Sequence, residues 1–208
     1  MLDNLYVFVG LLAPDGTVVE SNRAPLEAAG LTAEKALGRP FWDLEGWAHD
    51  PAVQAQVRDD CARALAGETV RHDLLMRTAG DGRMVIDFQL APLRDDAGRV
   101  THLIASGVDV TARRAAEKRQ GFLLELSDRL RAAPGAAMAT AAAMLGARTG
   151  VSRAGYAVAE ENDGTIRVAD EHGNGSVEVI TGRRLRLDDF GPAIVAELRA
   201  GRTLVVED

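Results

Sequence analysis

Between Val70 and Val110 three consecutive runs alternate apolar and polar residues with period two, and at Thr111 the period changes to three-four. In the first run Val70, His72, Leu74 and Met76 share one face, and Arg71, Asp73 and Arg77 share the other. After the Gly80-Asp81-Gly82 turn, Ile86, Phe88 and Leu90 alternate with Asp87 and Gln89; a third run follows Asp95 to Gly98 and extends from Arg99 to Val110. Neighbouring side chains on a strand point to opposite faces, so this alternation predicts an antiparallel sheet with one covered face.

The cover must come from upstream. A strand from Leu5 to Leu12 meets the turn Pro14-Asp15-Gly16 and a second strand, Thr17 to Glu20. Pro and Asp-Gly between two β-rich runs is a hairpin signal, because Gly takes the positive φ that the turn needs. Two short helices follow: Asn22 can cap Arg23 to Ala29, closed by Gly30, and Thr32 can cap Ala33 to Leu37, closed by Gly38. The stretch Phe41-Trp42-Asp43-Leu44-Glu45-Gly46-Trp47 holds both tryptophans. A longer helix runs from Pro51 to about Ala66, with Asp50 as N-cap, Pro51 in the first turn and Gly67 beyond the end. Val53, Val57, Cys61 and Leu65 form its buried stripe. The first half therefore reads as an α+β domain: one five-stranded antiparallel sheet with helices on one side.

From Thr111 to about Arg131 the positions Ala112, Ala116, Arg119, Leu123, Leu126 and Leu130 trace a helical seam of roughly three heptads. Leu123, Leu126 and Leu130 are the residues expected to pair with a second copy. After Pro134-Gly135 an alanine-rich helix runs to about Arg148, with Met138 and Leu145 as its larger apolar residues. Alternation at Ala154, Tyr156 and Val158, at Ile166 and Val168, and at Val177 and Val179 predicts strands, with Asn162-Asp163-Gly164 as a turn. A helix opens at Gly191-Pro192 and closes at Gly201, and Leu204-Val205-Val206 begins another strand. A domain ending on an apolar strand with an unpaired edge reads as incomplete.

At 208 residues the chain suits two small domains. Its formal net charge of −7 argues against a nucleic-acid footprint and against an anionic membrane surface. A single cysteine, Cys61, excludes an intrachain disulfide framework and fits a reducing compartment. No apolar run approaches the roughly 18–20 residues that span a bilayer. The N-terminal stretch MLDNLYVFVGLLAPDG carries Asp3 and no basic region, so it reads as a strand and not as a signal peptide. The expected compartment is the cytoplasm.

The pieces LLAPDGTVVESNRAPLEAAGL, GRPFWDL, GWAHDP and DGRMVIDFQLAPLRDDAGRV, with Asp109-Val110-Thr111 in the place of a D-[IV]-T exit signature, make residues 5–111 resemble the PAS domains that precede bacterial sensor histidine kinases. FLLELSDRLRA, SRAGYAVAEE and LDDFGPAIVAELRAGRTLVVED make the remainder resemble the N-terminal part of a GAF domain. The resemblance implies a PAS sensory domain over 1–111, a signalling linker helix over 112–133 and a partial GAF-like domain over 134–208. In similar proteins this order lies upstream of a histidine kinase core of the HWE type. It implies a sensory input module that is not itself an enzyme and that forms a homodimer through the linker helix. The alternatives are a dimerisation or spacer module that senses nothing, or the input region of a cyclase or transcriptional regulator.

No catalytic set emerges from the residues. Glycine-rich phosphate loops, local Ser-His-Asp-like motifs and metal-ligand spacing are missing, and His49, His72, His102 and His172 are scattered. Asp59-Asp60, Asp95-Asp96 and Asp188-Asp189 read as solvated surface doublets. Gly38 to Leu44 falls where flavin-binding light sensors of the PAS class carry G-x-N-C-R-F-L. Here Phe41 stands in place of the cysteine and Pro40 in place of the asparagine, which disfavours a flavin–thiol adduct. Cys61 on its apolar stripe is expected to be structural. The long helix lacks the histidine from which haem-binding relatives ligate iron, and the second half has no cysteine to attach a bilin. No cofactor and no metal are therefore expected.

A cavity for an unidentified small molecule is the candidate site. Phe41, Trp42, Trp47, Met76, Phe88, Leu90 and Ile104 are expected around the inner face of the sheet, with His72 as an inward polar group. The competing reading is a filled core, since a domain of this size needs such side chains to fold. At the exit, Asp109 is expected to tie the last strand to the sheet and Thr111 to cap the helix.

Overall fold

The computed structural model describes residues 7–160 and 164–203. The chain forms two compact units, Met1–Lys118 and Arg119–Asp208.

In the first unit strands β1 (Phe8–Leu12), β2 (Val18–Ser21), β3 (Val70–Arg77), β4 (Arg83–Arg94) and β5 (Val100–Asp109) form one sheet in the order β2-β1-β5-β4-β3. Every pairing in it is antiparallel. The β1–β2 turn closes with Thr17 N–H donating to the Asp15 carboxylate at 2.9 Å, the local contact by which Asp initiates turns. Helices α1 (Arg23–Ala29), α2 (Ala33–Ala36) and α3 (Pro51–Leu65) cross between β2 and β3 and cover one face. Helix α3 starts as its sequence dictates, with Pro51 in the first turn and Asp50 accepting from the Ala52 N–H at 2.8 Å.

Asn22 behaves differently from the cap expected of it. Its side chain is spent on β1, accepting from Val9 N–H at 2.9 Å and donating to the Val7 carbonyl at 2.8 Å. An asparagine amide offers one donor and one acceptor side by side, as a peptide does, so it extends the edge pairing into the loop. Thr32 makes no side-chain cap either.

The core of this unit lies between sheet and helices. Leu12, Val57, Ala64, Leu90 and Leu103 have no solvent exposure, and Ile86 and Phe88 are nearly as buried. The register sets which side chains face inward: Leu12 pairs Leu103, Leu90 pairs Ala105, and His72 pairs Phe88. Ile104 therefore faces away from the core, 36% exposed, contrary to the inward position expected of it. Both parities of β5 carry apolar residues, so alternation alone did not choose a face; pairing with β1 and β4 did. The Asp59-Asp60 doublet also divides. Asp59 is exposed, whereas Asp60 is buried at 2% exposure.

Helix α4 (Thr111–Ala132) follows β5 directly and none of its residues is buried. Leu123 and Leu124 are 53% and 60% exposed. In the second unit helix α5 (Ala137–Thr149) packs on a three-stranded sheet, β6 (Arg153–Ala159), β7 (Thr165–Gly173) and β8 (Arg184–Arg186), in the order β6-β7-β8. Gly146 lets α5 approach closely, since a Cβ there would stand 2.5 Å from His172 Cδ2. The strand expected at Val177 and Val179 is absent: that segment is irregular, Val179 is 70% exposed, and the third strand forms at Arg184–Arg186. Two β-branched residues in alternation are too short a signal against a neighbouring Gly-Asn-Gly-Ser run. Helix α6 (Pro192–Arg199) matches its Gly-Pro start. The turn expected at Asn162-Asp163 and the strand expected at Leu204-Val206 lie outside the described residues.

Candidate functional site

The first unit holds a partly open cavity of about 70 Å³ between the sheet and the β2–α3 segment. On the same scale one water needs roughly 10–15 Å³, so the space admits a small organic molecule. Phe41, Trp47 and Phe88 form an aromatic wall. Phe41 and Phe88 stack with ring centroids 6.1 Å apart, and Trp47 meets their edges at 5.6 and 6.0 Å. Phe8, Leu12, Leu26, Leu44, Met76 and Ile86 complete much of the lining. A cavity with so little polar surface binds neutral apolar groups, because a charge would lose its hydration without compensation.

Glycines let two wall residues pack directly on backbone. Gly107 faces inward between Ile86 and Phe8, and a Cβ there would stand 2.5 Å from Ile86 Cγ2. Gly46 takes Met76 against its backbone in the same way, at 3.1 Å. Ala36 and Ala105 also line the cavity.

Of the expected pocket residues, Phe41, Trp47, Met76 and Phe88 line the cavity. Leu90 is fully buried in the core without forming part of the wall. Trp42 instead covers the β1–β2 turn, where a Cβ on Gly16 would lie 2.3 Å from its ring, and carries the Arg58 guanidinium 5.7 Å from its ring centroid. Ile104 lies on the outer face of the sheet.

His72 stands outside the lining and makes a polar bridge from β3 to α3. Its Nε2 lies 2.7 Å from the Asp60 carboxylate, whose side chain is 3% exposed, and its Nδ1 lies 3.3 Å from Gln56 Nε2. Arg63 approaches the other Asp60 oxygen at 3.6 Å. The His72 ring also meets Phe88 edge-on, with centroids 6.0 Å apart, so the bridge backs the aromatic wall. Asp60 is the residue that sequence reasoning missed. Its signal was helical spacing: Val57, Asp60, Cys61 and Ala64 share one face of α3, so an acid three residues after Val57 falls on the apolar stripe. Burial, with the Asp60 charge beside it, pushes the Cys61 thiol up to about 12, which fits a structural role.

At the exit Asp109 and Thr111 exchange the parts expected of them. Val85 N–H donates to Thr111 Oγ1 at 2.8 Å, and Val110 N–H donates to the Val85 carbonyl at 2.8 Å, so the threonine ties the chain to the sheet. Asp109 accepts from the Thr111 N–H at 2.8 Å and so serves the start of the helix. Both backbone groups of Val85 are thus committed to the start of α4, and its neighbour Ile86 is a wall of the cavity. One turn on, Arg114 clamps Asp73 of β3 with contacts of 2.6 and 3.0 Å and reaches Glu117 at 2.8 Å. The Arg114 hydrogen bonds hold the Asp73 carboxyl below the usual carboxylate range, and those of Arg71 do the same for Asp87.

Among the described residues no group of three or more His, Cys, Asp or Glu side chains is placed to hold a metal ion, and no helix is long and apolar enough to cross a membrane.

An antiparallel sheet in the order β2-β1-β5-β4-β3, with helices on one face and an exit helix tied to the central strands, defines an α+β domain of one sheet and its helical cover. Residues 2–115 match the PAS fold family, and the chain belongs to it. The PAS fold is a sensory fold, not a catalytic one. The sensor histidine kinase TmoS of Ectopseudomonas mendocina is 39% identical over 119 residues, 56% of this chain and 12% of that protein. The hybrid signal transduction histidine kinase D of Dictyostelium discoideum is 34% identical over 119 residues, 56% of this chain and 8% of that protein. The blue-light-activated histidine kinase of Rhizobium johnstonii is 31% identical over 105 residues, 50% of this chain and 29% of that protein. The chain thus spans less than a third of the length of these relatives. Among solved structures, an RNA-binding light-oxygen-voltage receptor is 26% identical with a TM-score of 0.50, covering 62% of this chain and 36% of that one. The first unit is a PAS sensory input domain similar to those of histidine kinase sensors.

Proposed function

We propose that the first unit senses a small, neutral, apolar molecule in its cavity and passes the bound state to α4. The observation that carries this reading is the adjacency of Ile86, in the cavity wall, and Val85, whose backbone holds Val110 and Thr111. A ligand that displaces Ile86 shifts its neighbour Val85, to which Val110 and Thr111 are bonded.

Benzene is a suitable neutral probe, since dry apolar cavities of this kind accept it. It should raise the melting temperature of the wild type and leave that of Ala105→Leu unchanged, because the leucine occupies the void. Equal responses from the two proteins, or none from either, would overturn the reading.

Beyond the first unit, the proposal extends to a relay through the linker helix, 112–133, into a GAF-like second domain, 134–208, ahead of a kinase output of the HWE type in a cytoplasmic sensor. The identities to histidine kinases and the exposed apolar residues of α4 support it. Leu123, Leu126 and Leu130 would pair two copies, with no covalent cofactor in either unit. Leu123→Lys together with Leu126→Lys should then reduce the mass seen by light scattering to that of one chain, and an unchanged mass would contradict the pairing.

A further inference from the structure

The cavity wall is uneven in how firmly it is held. On the sheet side Leu12, Met76, Ile86 and Phe88 are buried. On the outer side Pro25, Ala29 and Leu31 are only half-buried, and they belong to one stretch of chain together with Leu26 and Ala36. Phe8 and Phe41 are half-buried too, but β1 is bonded to strands on both sides and Phe41 is stacked on Phe88.

From this we propose that the stretch Arg23 to Ala36, comprising α1 and α2, is a strap that opens to admit the ligand and closes over it. The inference rests on the reading of the cavity as the sensing site.

The two ends of the strap are fixed. At one end the Asn22 amide is bonded through both its atoms to β1. At the other, the Arg39 guanidinium reaches Glu45 at 3.0 Å and the Asp43 carbonyl at 2.7 Å, and Val18 N–H donates to the Arg39 carbonyl at 2.9 Å. Between these anchors α1 has seven residues and α2 has four, neither is capped by a side chain, and each buries a single side chain, Leu26 and Ala36. Helices this short are marginal without tertiary packing, and weakly packed segments open locally before a domain unfolds. Gly30 and Gly38, at φ +69° and +76°, stand at the ends of the two helices. There the backbone can swing through conformations that other residues resist. A cavity closed by a strap of this kind excludes water while it is occupied and still exchanges its ligand.

Gly30 offers a lock. A Cβ at this position would stand 3.0 Å from the Ala79 Cβ, somewhat closer than the roughly 3.8 Å usual across a disulfide, so Gly30→Cys with Ala79→Cys can be cross-linked after a small shift; the cysteine must also hold the φ of +69°, a strain common to the oxidised and reduced forms that are compared. Cys61, buried in the core, stays out of the exchange. With Trp42→Phe as background, fluorescence comes from Trp47 in the cavity wall, and acrylamide quenching reads the passage of a small neutral molecule. Oxidation should lower the quenching constant several-fold and reduction should restore it; equal quenching in both forms would overturn the strap.

Hydrogen exchange on the wild type gives an answer even if the double-cysteine protein does not fold. The Leu31 and Leu37 amides, bonded to the Leu26 and Ala33 carbonyls, should exchange through an opening that leaves the Leu90 and Leu103 amides protected. Exchange of all four together would overturn the proposal. Benzene-induced melting shifts on the same proteins separate the two ideas. A benzene shift with ungated quenching sinks the strap alone, whereas gated quenching without a benzene shift sinks the sensing reading and with it the passage of a ligand.

Discussion

Replacing Phe88 by Ala tests how far the aromatic wall supports the first unit. The ring is 2% exposed and packs against Phe41, Trp47 and His72 with centroids 6.0–6.1 Å away. Deleting a buried phenylalanine side chain costs about 3–5 kcal/mol, the larger values arising where the surroundings cannot collapse into the hole. Here the new space joins a void of about 70 Å³ whose sheet-side wall of Leu12, Met76 and Ile86 is buried and held by strand pairing, so a loss within that range is expected. That is a large part of the about 5–15 kcal/mol by which domains are stable. Both tryptophans lie in the first unit, so urea denaturation followed by fluorescence reports its unfolding without interference from the second. Benzene should then return part of the loss by occupying the enlarged cavity, stabilising by about 2.7 kcal/mol at a hundredfold excess over its Kd. A loss below about 1 kcal/mol, or a full loss that benzene does not reduce, would refute the reasoning, since the first denies that the wall is packed and the second that it encloses ligand space.

Changing His72 to Ala leaves the Asp60 carboxylate buried, with Arg63 at 3.6 Å and without its 2.7 Å hydrogen-bond partner. Leaving a buried acceptor without its partner costs about 1–3 kcal/mol, which urea midpoints of His72→Ala and His72→Gln would measure. Thr111→Val removes the acceptor of the Val85 N–H; a loss of about 1–2 kcal/mol and faster exchange of that amide are expected, and unchanged exchange would deny the tie. Cys61 should resist thiol reagents until the first unit unfolds. Its thiol is raised from 9.0 to about 12 in the folded state, so the unfolded chain releases this proton first and stability falls as pH rises above about 9. Alkaline denaturation of Cys61→Ala should show a shallower fall than the wild type, and equal slopes would contradict the assignment.

Much of the first unit was legible because its signals are long and agree with one another. Three strands with clean alternation, a proline-led helix after Asp50 and a hairpin with Asp-Gly each point to the same sheet, and β3, β4 and α3 lie where the pattern put them. Parity failed where both faces were apolar. Ile104 and Leu103 are equally suited to a core, and only the pairing of β5 with β1 and β4 makes Leu103 the inward one. Asp60 was hidden because a pair of acids reads as solvated charge; the helix turns one of them inward to meet a histidine brought from a strand twelve residues on. Trp42 was placed in the cavity with its neighbour Phe41, but consecutive residues in a tight 3-10 turn point in different directions. The cavity wall itself was not legible, since its packing has Gly46 and Gly107 meeting Met76 and Ile86 across elements far apart in sequence.

The central claim, that a molecule in the cavity alters the start of α4, is most directly tested by an amide NMR titration of the isotopically labelled chain with benzene. Saturable shifts are predicted at Ile86, Phe88 and Gly107, and with the same midpoint at Val85, Val110 and Thr111, while Leu93 on the outer face stays unchanged. Shifts confined to the cavity residues, with Val85, Val110 and Thr111 unmoved, would contradict the account.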